Sequence, residues 1–407
     1  MSDETGTAVG EQASTPEYRF PEFKDAPAWQ EKELGSVLSY ERPDPYVVSD
    51  ANYVASGTPV LTANKSFVLG YTQEADGIYS DVPAIIFDDF TTDKKYVDFP
   101  FKVKSSAIKI LKAKGRNHLK TIFEAMGQIK FDPKDHKRYY ISQYQAVKIS
   151  LPEPVEQKKI ADCLTSLDDL IAAEERKLRA LRRHKDGLVQ RLFPCEGHTA
   201  PNWRFPAFRT APAWVSAPMG DVFDTATGGT PERSVPEYWG GEIPWITTSL
   251  VDFGVIERAG EFITKAGLAN SSAKLFPKDT VLVAMYGQGK TRGKVALLGI
   301  EATTNQACAA VLPRSGINPH FTFLNLGSRY EELRALSNAG GQENLSQGLV
   351  RSLPFSYPDD EREQEAIVEC LSALDRLVTN LEHKLHALRR HKSALRQGLF
   401  PAWKDDR

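Results

Sequence analysis

Three stretches of this chain gather cationic and amide side chains around glycine, a composition suited to holding phosphates and reading base edges. The first is "LKAKGRNHLK" at 111–120, with Lys112, Lys114, Arg116, Asn117, His118 and Lys120 around Gly115. The second is "AMYGQGKTRGK" at 284–294, with Gln288, Lys290, Arg292 and Lys294. The third is "GGQENLSQG" at 340–348, with Gln342, Asn344 and Gln347. Glycine lets a backbone approach a ligand closely, lysine and arginine reach phosphate oxygens, and amides pair with adenine. Local charge points the same way. From Lys94 to Lys148 there are 14 basic residues against 4 acidic ones, a set that includes Lys102, Lys104, Lys137 and Arg138. From Arg258 to Lys294 there are 7 against 2. The formal net charge of −2 hides both patches, because the first 33 residues carry 8 acids and 3 bases. Such patches are the expected footprint of phosphate binding. The bland alternative for 111–120 is an exposed turn whose charges only solvate it.

The motifs that would mark catalysis fall short. "AMYGQGKTRGK" follows an apparent strand as a phosphate-cradling P-loop does, but Ala284 stands where the first glycine belongs and no acidic magnesium strand accompanies it. "INPHF" at 317–321 departs from the N-P-P-[FY] motif of amino methyltransferases at His320, and no glycine-rich cofactor loop goes with it. "DDERE" at 359–363 lacks a nuclease's strand and lysine pattern and reads as favourable charge in a helix's first turn. Cys163, Cys195, Cys308 and Cys370 form no CxxC and have no paired histidine, so reduced cytosolic thiols are expected rather than zinc. The chain therefore reads as non-catalytic, with no metal or cofactor of its own.

The elements that must carry the basic loops are written twice. "YRFPEFKDAPAWQEKELGSVLS" at 18–39 returns as "WRFPAFRTAPAWVSAPMGDVFD" at 203–224, an offset of 185. "EQKKIADCLTSLDDLIAAEERKL" at 156–178 returns as "EQEAIVECLSALDRLVTNLEHKL" at 363–385, an offset of 207. The offsets differ by 22, so the second intervening stretch is the longer one, and the two stretches share no alignable similarity. Each repeated helix carries an apolar stripe in steps of four and three. In the first it runs through Ile160, Leu164, Leu167, Ile171, Leu178, Leu181, Leu188 and Leu192. In the second it runs through Ile367, Leu371, Leu374, Val378, Leu381, Leu385, Leu388, Leu395 and Leu399. A lysine interrupts both at the same place, Lys185 and Lys392. A stripe this narrow needs a partner, and the other copy is the obvious one, giving a coiled coil about 55–60 Å long. His184 and His391 flank the seam and are expected to be partly buried structural residues, with Cys163 and Cys370 as small flanking ones. Pro194 and Pro401 close both helices after "LFP".

The expected fold class is α+β. Two mixed α/β variable domains are separated by two long helices that form an antiparallel coiled coil, in a pseudo-twofold internal repeat. The expected boundaries are a disordered tail at 1–16, a first domain at 17–150, a first long helix at 151–200, a second domain at 201–357 and a second long helix at 358–407. Extended runs are expected in "VPAIIFDDF", "YVDFPFKV", "YYISQYQAVKISL", "IPWITTSLV" and "DTVLVAMY", and one helix in "HFTFLNLGSRYEELRAL", capped by Asn318. The acidic start is unlike a signal peptide, and no apolar run approaches the ~20 residues of a membrane span. A cytoplasmic protein with no membrane partner is expected.

This pattern resembles the specificity (S) subunit of type I restriction–modification enzymes. The matching pieces are "RFPEF…W…LG" at 19–35, "RFPAF…W…MG" at 204–220, "GTP…YWGGEIPWI" at 229–246, "TNQACAAVLP" at 304–313, "GQENLSQGLVRSLPF" at 341–355 and the "EQ..I..CL..LD" helix starts. The first variable domain lacks the "GTP…YWGGEIPWI" form, so second-domain contacts do not transfer to it. The resemblance implies a non-catalytic subunit that reads a split, asymmetric target on double-stranded DNA. It also implies two methyltransferase (M) subunits docked on the coiled coil and two restriction (R) subunits beside them. S-adenosylmethionine, ATP and Mg would bind in those partners. Two alternatives stay open: a coiled-coil scaffold with incidental basic patches, and a similar subunit of a modification-only or other bipartite-target system.

Overall fold

The computed structural model describes residues 15–64, 66–133, 137–195, 197–287, 290–336 and 344–402. The tail expected at 1–16 therefore lies, apart from Thr15 and Pro16, outside the described residues. Contacts divide the chain into two compact units, Met1–Glu175 with His383–Arg407, and Arg176–Glu382. Each long helix contributes residues to both units.

In the first unit, a four-stranded antiparallel sheet runs in the order Leu38–Glu41, Ile108–Ala113, Ala84–Asp88, Lys94–Val97. All five residues of "AIIFD" at 84–88 are buried, the mark of a strand covered on both faces. Alternation assigns the faces. Ile85 and Phe87 pack with Trp29, Ile122, Tyr140 and Tyr144, whereas Ala84 and Ile86 pack with Leu61, Tyr79, Phe101 and Val103. Ile160, Leu164 and Leu399 from the long helices, with Phe400 just past the second, complete the first cluster. A small sheet pairs Gln30–Glu33 with Lys148–Leu151. Within "YYISQYQAVKISL" only Lys148–Leu151 is strand; Tyr139, Tyr140 and Tyr144 are buried ahead of it, the last two in the cluster that holds Ile85 and Phe87.

The second unit builds a five-stranded sheet in the order Thr225–Thr227, Cys308–Val311, Val281–Ala284, Val295–Leu298, Val255–Ile256. Period-two alternation again splits it. Val281, Val283, Val295 and Leu297 join Trp214, Phe321, Phe355, Ile367 and Leu371, while Leu282, Ala284, Ala296 and Leu298 face the opposite cluster. A four-stranded sheet carries Trp239–Ile246 at its centre. The single helix expected after Asn318 is two, Pro319–Ser328 and Tyr330–Leu336, because Arg329 leaves helical geometry at φ −103°. Asn318 does cap the first, accepting from the backbone N–H groups of His320 and Phe321.

The long helices are Pro154–Leu192 and Glu361–Leu399, 39 residues each, about 58 Å at 1.5 Å per residue. Every seam position predicted from the stripe is buried or half-buried. In the first unit Asp168 binds Lys392 at 2.6 Å and Glu175 binds Arg389 at 2.6 Å. In the second, Asp375 binds Lys185 and Glu382 binds Arg182. These are one set of contacts repeated at the offset of 207, and partner numbers fall on one helix as they rise on the other. The pair is antiparallel and self-complementary. His184 and His391 are exposed rather than partly buried: the seam lysine one residue on turns inward to its aspartate, which leaves each ring facing solvent. Cys163 and Cys370 are half-buried flank residues.

Candidate nucleic-acid interface

Each sheet domain is clamped to its long helix by the repeated motifs. Glu156 lies in the first turn of one helix, 2% exposed, and Glu363 in that of the other, 1% exposed. The Arg19 guanidinium forks onto Glu156 at 2.9 and 2.7 Å, and the Trp29 indole donates to the same carboxylate at 3.3 Å. Arg204 and Trp214 repeat this on Glu363, with Arg204 Nε at 2.7 Å and the indole at 3.4 Å. Two carbonyls accept two more N–H groups of each guanidinium, Ala26 and Pro27 in one unit and Ala211 and Pro212 in the other. The pairing holds both arginines above their ordinary pKa. The next residue makes a second clamp. Gln157 accepts from the His118 backbone N–H at 2.8 Å, and Gln364 from that of Asn318 at 2.7 Å. Arginine, tryptophan, glutamate and glutamine thus fix where each domain's loops are presented.

Of the first-domain candidates, several serve the scaffold. Lys102 is 3% exposed, paired with Glu74 at 2.8 Å and donating to the Asp76 carbonyl. Lys120 is 7% exposed and lies between Asp168 at 2.7 Å and Glu124 at 3.2 Å, over the Tyr96 ring. Burial pushes the Lys120 ammonium toward neutrality, but its hydrogen bonds and the two carboxylates outweigh this and raise its pKa. Both lysines are spent inside the domain, so neither is placed to meet DNA. Lys112 donates to the Asp81 and Pro83 carbonyls, and Lys114 to that of Gly35. Asn117 accepts from Gln157, and His118 is half-buried, its pKa lowered by burial. Arg116, Lys104, Lys137 and Arg138 are exposed.

In the second domain, Gln288 and Gln342 lie outside the described residues. The two neighbouring strands that carry the basic loop stay paired at its ends: Gly293 N–H donates to the Ala284 carbonyl and Ala284 N–H to that of Lys294. Gly287 at φ +135° and Gly293 at φ +85° take backbone conformations that side chains resist. Tyr330 pins the loop by donating to the Lys290 carbonyl at 2.7 Å, and leaves the Lys290 side chain exposed. Arg292 is half-buried, Lys294 binds Asp252 at 2.6 Å, and Asn344 is exposed. Gln347 is a brace, donating to Thr225 O and Oγ1 at 3.0 and 3.1 Å. Sequence reasoning passed over Phe253. It holds φ +54°, is 42% exposed and stands edge-on to Tyr330, 5.9 Å from the Lys294 ammonium. Only its place before a glycine hinted at an irregular backbone.

The "GTP…YWGGEIPWI" stretch is architectural. A Cβ on Gly228 would sit 2.0 Å from the Thr304 carbonyl oxygen and one on Gly229 2.3 Å from Ser272, so neither position admits a larger residue. Trp245 donates to the Gly229 carbonyl at 3.0 Å, and the Arg233 guanidinium lies 3.8 Å above the Trp239 ring. Among the described residues no cluster of three or more His, Cys, Asp or Glu is placed to hold a metal, and no helix is long and apolar enough to cross a membrane.

Two unlike sheet domains clamped to a self-complementary helix pair define a class of modular recognition subunit. Residues 28–183 and 213–389 match the type I restriction modification DNA specificity domain, and the chain belongs to the family of type I specificity subunits. It is 32% identical over 376 residues to the EcoR124I/EcoR124II specificity subunit of Escherichia coli, spanning 86% of this chain and 88% of that one. It is 29% identical over 195 residues to the MjaIX specificity subunit of Methanocaldococcus jannaschii, 47% of this chain and 43% of that one. In fold it is similar to the S subunit of a type I system from M. genitalium, with a TM-score of 0.64 at 15% identity over 95% of this chain and 99% of that one. A second solved structure, from work on assembly of a type I system, aligns with a TM-score of 0.56 at 16% identity over 94% and 97% of the two chains.

Proposed function

We propose that the two domains, 17–150 and 201–357, each read one half of a split, asymmetric sequence on double-stranded DNA, while the helix pair sets the gap between the halves. The observation that carries this is the contrast between frame and content. The helix contacts recur residue for residue at the offset of 207, yet the two sheets they hold differ in strand number and order. A near-symmetric frame suits two identical methyltransferase subunits. Leu170 and Leu377, also 207 apart, support this: both are exposed leucines off the seam, 39% and 54% accessible, one in each unit. Restriction subunits would join the methyltransferases. S-adenosylmethionine, ATP and Mg would be held by those partners, and this chain would supply no catalytic group.

The contacts fall to the exposed Lys104, Arg116, Lys137 and Arg138 in the first domain and to the exposed Lys290 and Asn344 in the second, together with the half-buried Arg292; Gln288 and Gln342, proposed with them from the sequence, lie outside the described residues. Footprinting of the assembled complex tests the reading. Two protected patches separated by an unread gap, with binding that weakens steeply as salt rises, are expected. Salt-independent binding, or none with the methyltransferase present, would favour a scaffold. Inserting one heptad into both helices should change the required gap while both half-sites stay readable, and an unchanged gap would refute the spacing role. Assays with and without a restriction subunit separate a full restriction system from a modification-only one.

A further inference from the structure

A cavity of about 330 Å³ opens in the first domain where the sheet meets the turn at 138–142. Lys109 and Asp89 form its floor, with Arg42 and Arg138 at its lip. Asp89 is 1% exposed and held in place by the Tyr140 backbone N–H, which donates to Oδ1 at 2.8 Å. Lys109 is 4% exposed, yet its nearest acceptor among the described residues is Asp89 Oδ2 at 3.5 Å. That is longer than a normal charge-assisted hydrogen bond, and an ammonium has three N–H groups to satisfy. The neighbouring Lys112 shows the contrast, with two carbonyls at 2.7 and 3.0 Å and a carboxylate at 3.0 Å. Tyr40 lies under Lys109 with its ring centre 5.7 Å away, which stabilises the charge without supplying an acceptor. A buried cation this short of acceptors is costly unless something enters the cavity.

We infer that this cavity binds a phosphate group, seated on Lys109 and forked by Arg42 and Arg138. Both arginines are exposed and make no ion pair among the described residues, and guanidinium geometry matches a tetrahedral oxyanion's edge. The Ser106 and Ser142 side chains at the wall add hydroxyls of hydrogen-bonding type. Asp44 and Asp89 leave one net positive charge against the three cations, suited to the single charge of a phosphodiester. A nucleobase is a poorer fit, since Pro43 and Ile141 are the apolar wall and, among the described residues, no aromatic side chain lines the cavity. Resting on the DNA-reading function proposed above, the source of that phosphate is the DNA backbone beside the first half-site.

The test uses the full chain, assembled with its methyltransferase partner, on duplexes with and without the target. R42A/R138A should weaken binding roughly tenfold on both duplexes, as expected for one lost charge-assisted contact, and lower the slope of log K against log salt by about 1. K109M should do the same. If it fails to fold, the lip variant still decides, because both arginines are exposed and its melting temperature should match wild type. One methylphosphonate linkage should weaken wild type and leave R42A/R138A unaffected. Unchanged affinity and slope, with no linkage that separates the two proteins, would overturn the assignment. Should wild type bind no DNA, the functional reading fails separately, and inorganic phosphate then decides the cavity. Stabilisation of wild type but not of R42A/R138A would support a free-phosphate source, and stabilisation of neither would end the proposal.

Discussion

The Arg204–Glu363 clamp gives the sharpest quantitative expectation. E363L removes a carboxylate that is 1% exposed and accepts from the Arg204 guanidinium at two nitrogens and from the Trp214 indole at 3.4 Å. Breaking a buried ion pair from one side costs about 3–5 kcal/mol, because the surviving charge is left uncompensated. Arg204 is 15% exposed in its side chain and keeps the Ala211 and Pro212 carbonyls, which places the expected loss near the low end, at about 3 kcal/mol. For a unit of this size that lowers the midpoint of thermal unfolding by about 6–12 °C. The double variant R204M/E363L should recover most of the loss, since burying two apolar groups in place of a buried pair is often close to neutral. Calorimetry on the four corners of the cycle measures both effects. Because Arg19, Trp29 and Glu156 repeat the geometry, E156L should cost a similar amount. An E363L midpoint within about 1 °C of wild type, well inside the expected shift, would refute the claim that the clamp secures the domain to its helix.

Three further outcomes follow from the helix pair. K185D sets two carboxylates against each other and should lose about 1 kcal/mol, while K185D/D375K should return to within about 0.5 kcal/mol of wild type; a double variant no better than the single would mean that these charges do not fix the register. Burial raises the Asp168 carboxyl, but hydrogen bonds from Lys120 and Lys392 and their charges outweigh it and hold the group below its ordinary 3.8. Its contribution is therefore complete above that value and lost as pH falls through the lower folded one, so the melting gap between wild type and D168N should close in acid and not at neutral pH. Residues 1–200 carry Asp168, Glu175, Arg182 and Lys185 on one helix, the full set of complementary partners. The half-chain should dimerise in light scattering and R182E/K185E should prevent it; a monomeric half-chain would show that self-complementarity is insufficient.

Much of the frame is legible in the sequence because it repeats. The four-and-three stripe gives helix face and partner, and the lysine at the same seam place in both copies pairs with an aspartate likewise repeated. The unbroken apolar runs "AIIFD" and "VLVA" mark strands covered on both faces, and each strand splits its side chains between two cores. The clamps were visible only as fragments. Arg19 and Glu156 are 137 residues apart in sequence, and nothing local says that they meet. The exposed lysine and the buried one were equally opaque. Lys102 and Lys104 are two residues apart in a basic run, yet Glu74 and the Asp76 carbonyl draw the first into the domain. Charge counting registers a cation without registering its acceptor.

Recurrence then becomes a criterion for separating frame from reading surface. Arg19 and Arg204, and Trp29 and Trp214, recur at 185; Glu156, Gln157, Asp168, Glu175, Arg182 and Lys185 recur at 207 as Glu363, Gln364, Asp375, Glu382, Arg389 and Lys392. Every one of these makes the same intramolecular bond in both copies. A residue held by a bond inside the chain has little to offer a ligand, and a residue repeated in both halves cannot distinguish one half-site from the other. Arg42, Lys109, Arg116, Phe253 and Lys290 satisfy the opposite condition, with no counterpart in the other half and a side chain that faces solvent or a cavity. Exchanging such residues changes what a domain meets while leaving the clamps and the helix register untouched. The basic "LRRHK" helices, the densest repeated cluster of positive charge, belong for this reason to the frame: Arg182, Lys185, Arg389 and Lys392 are all spent on the partner helix.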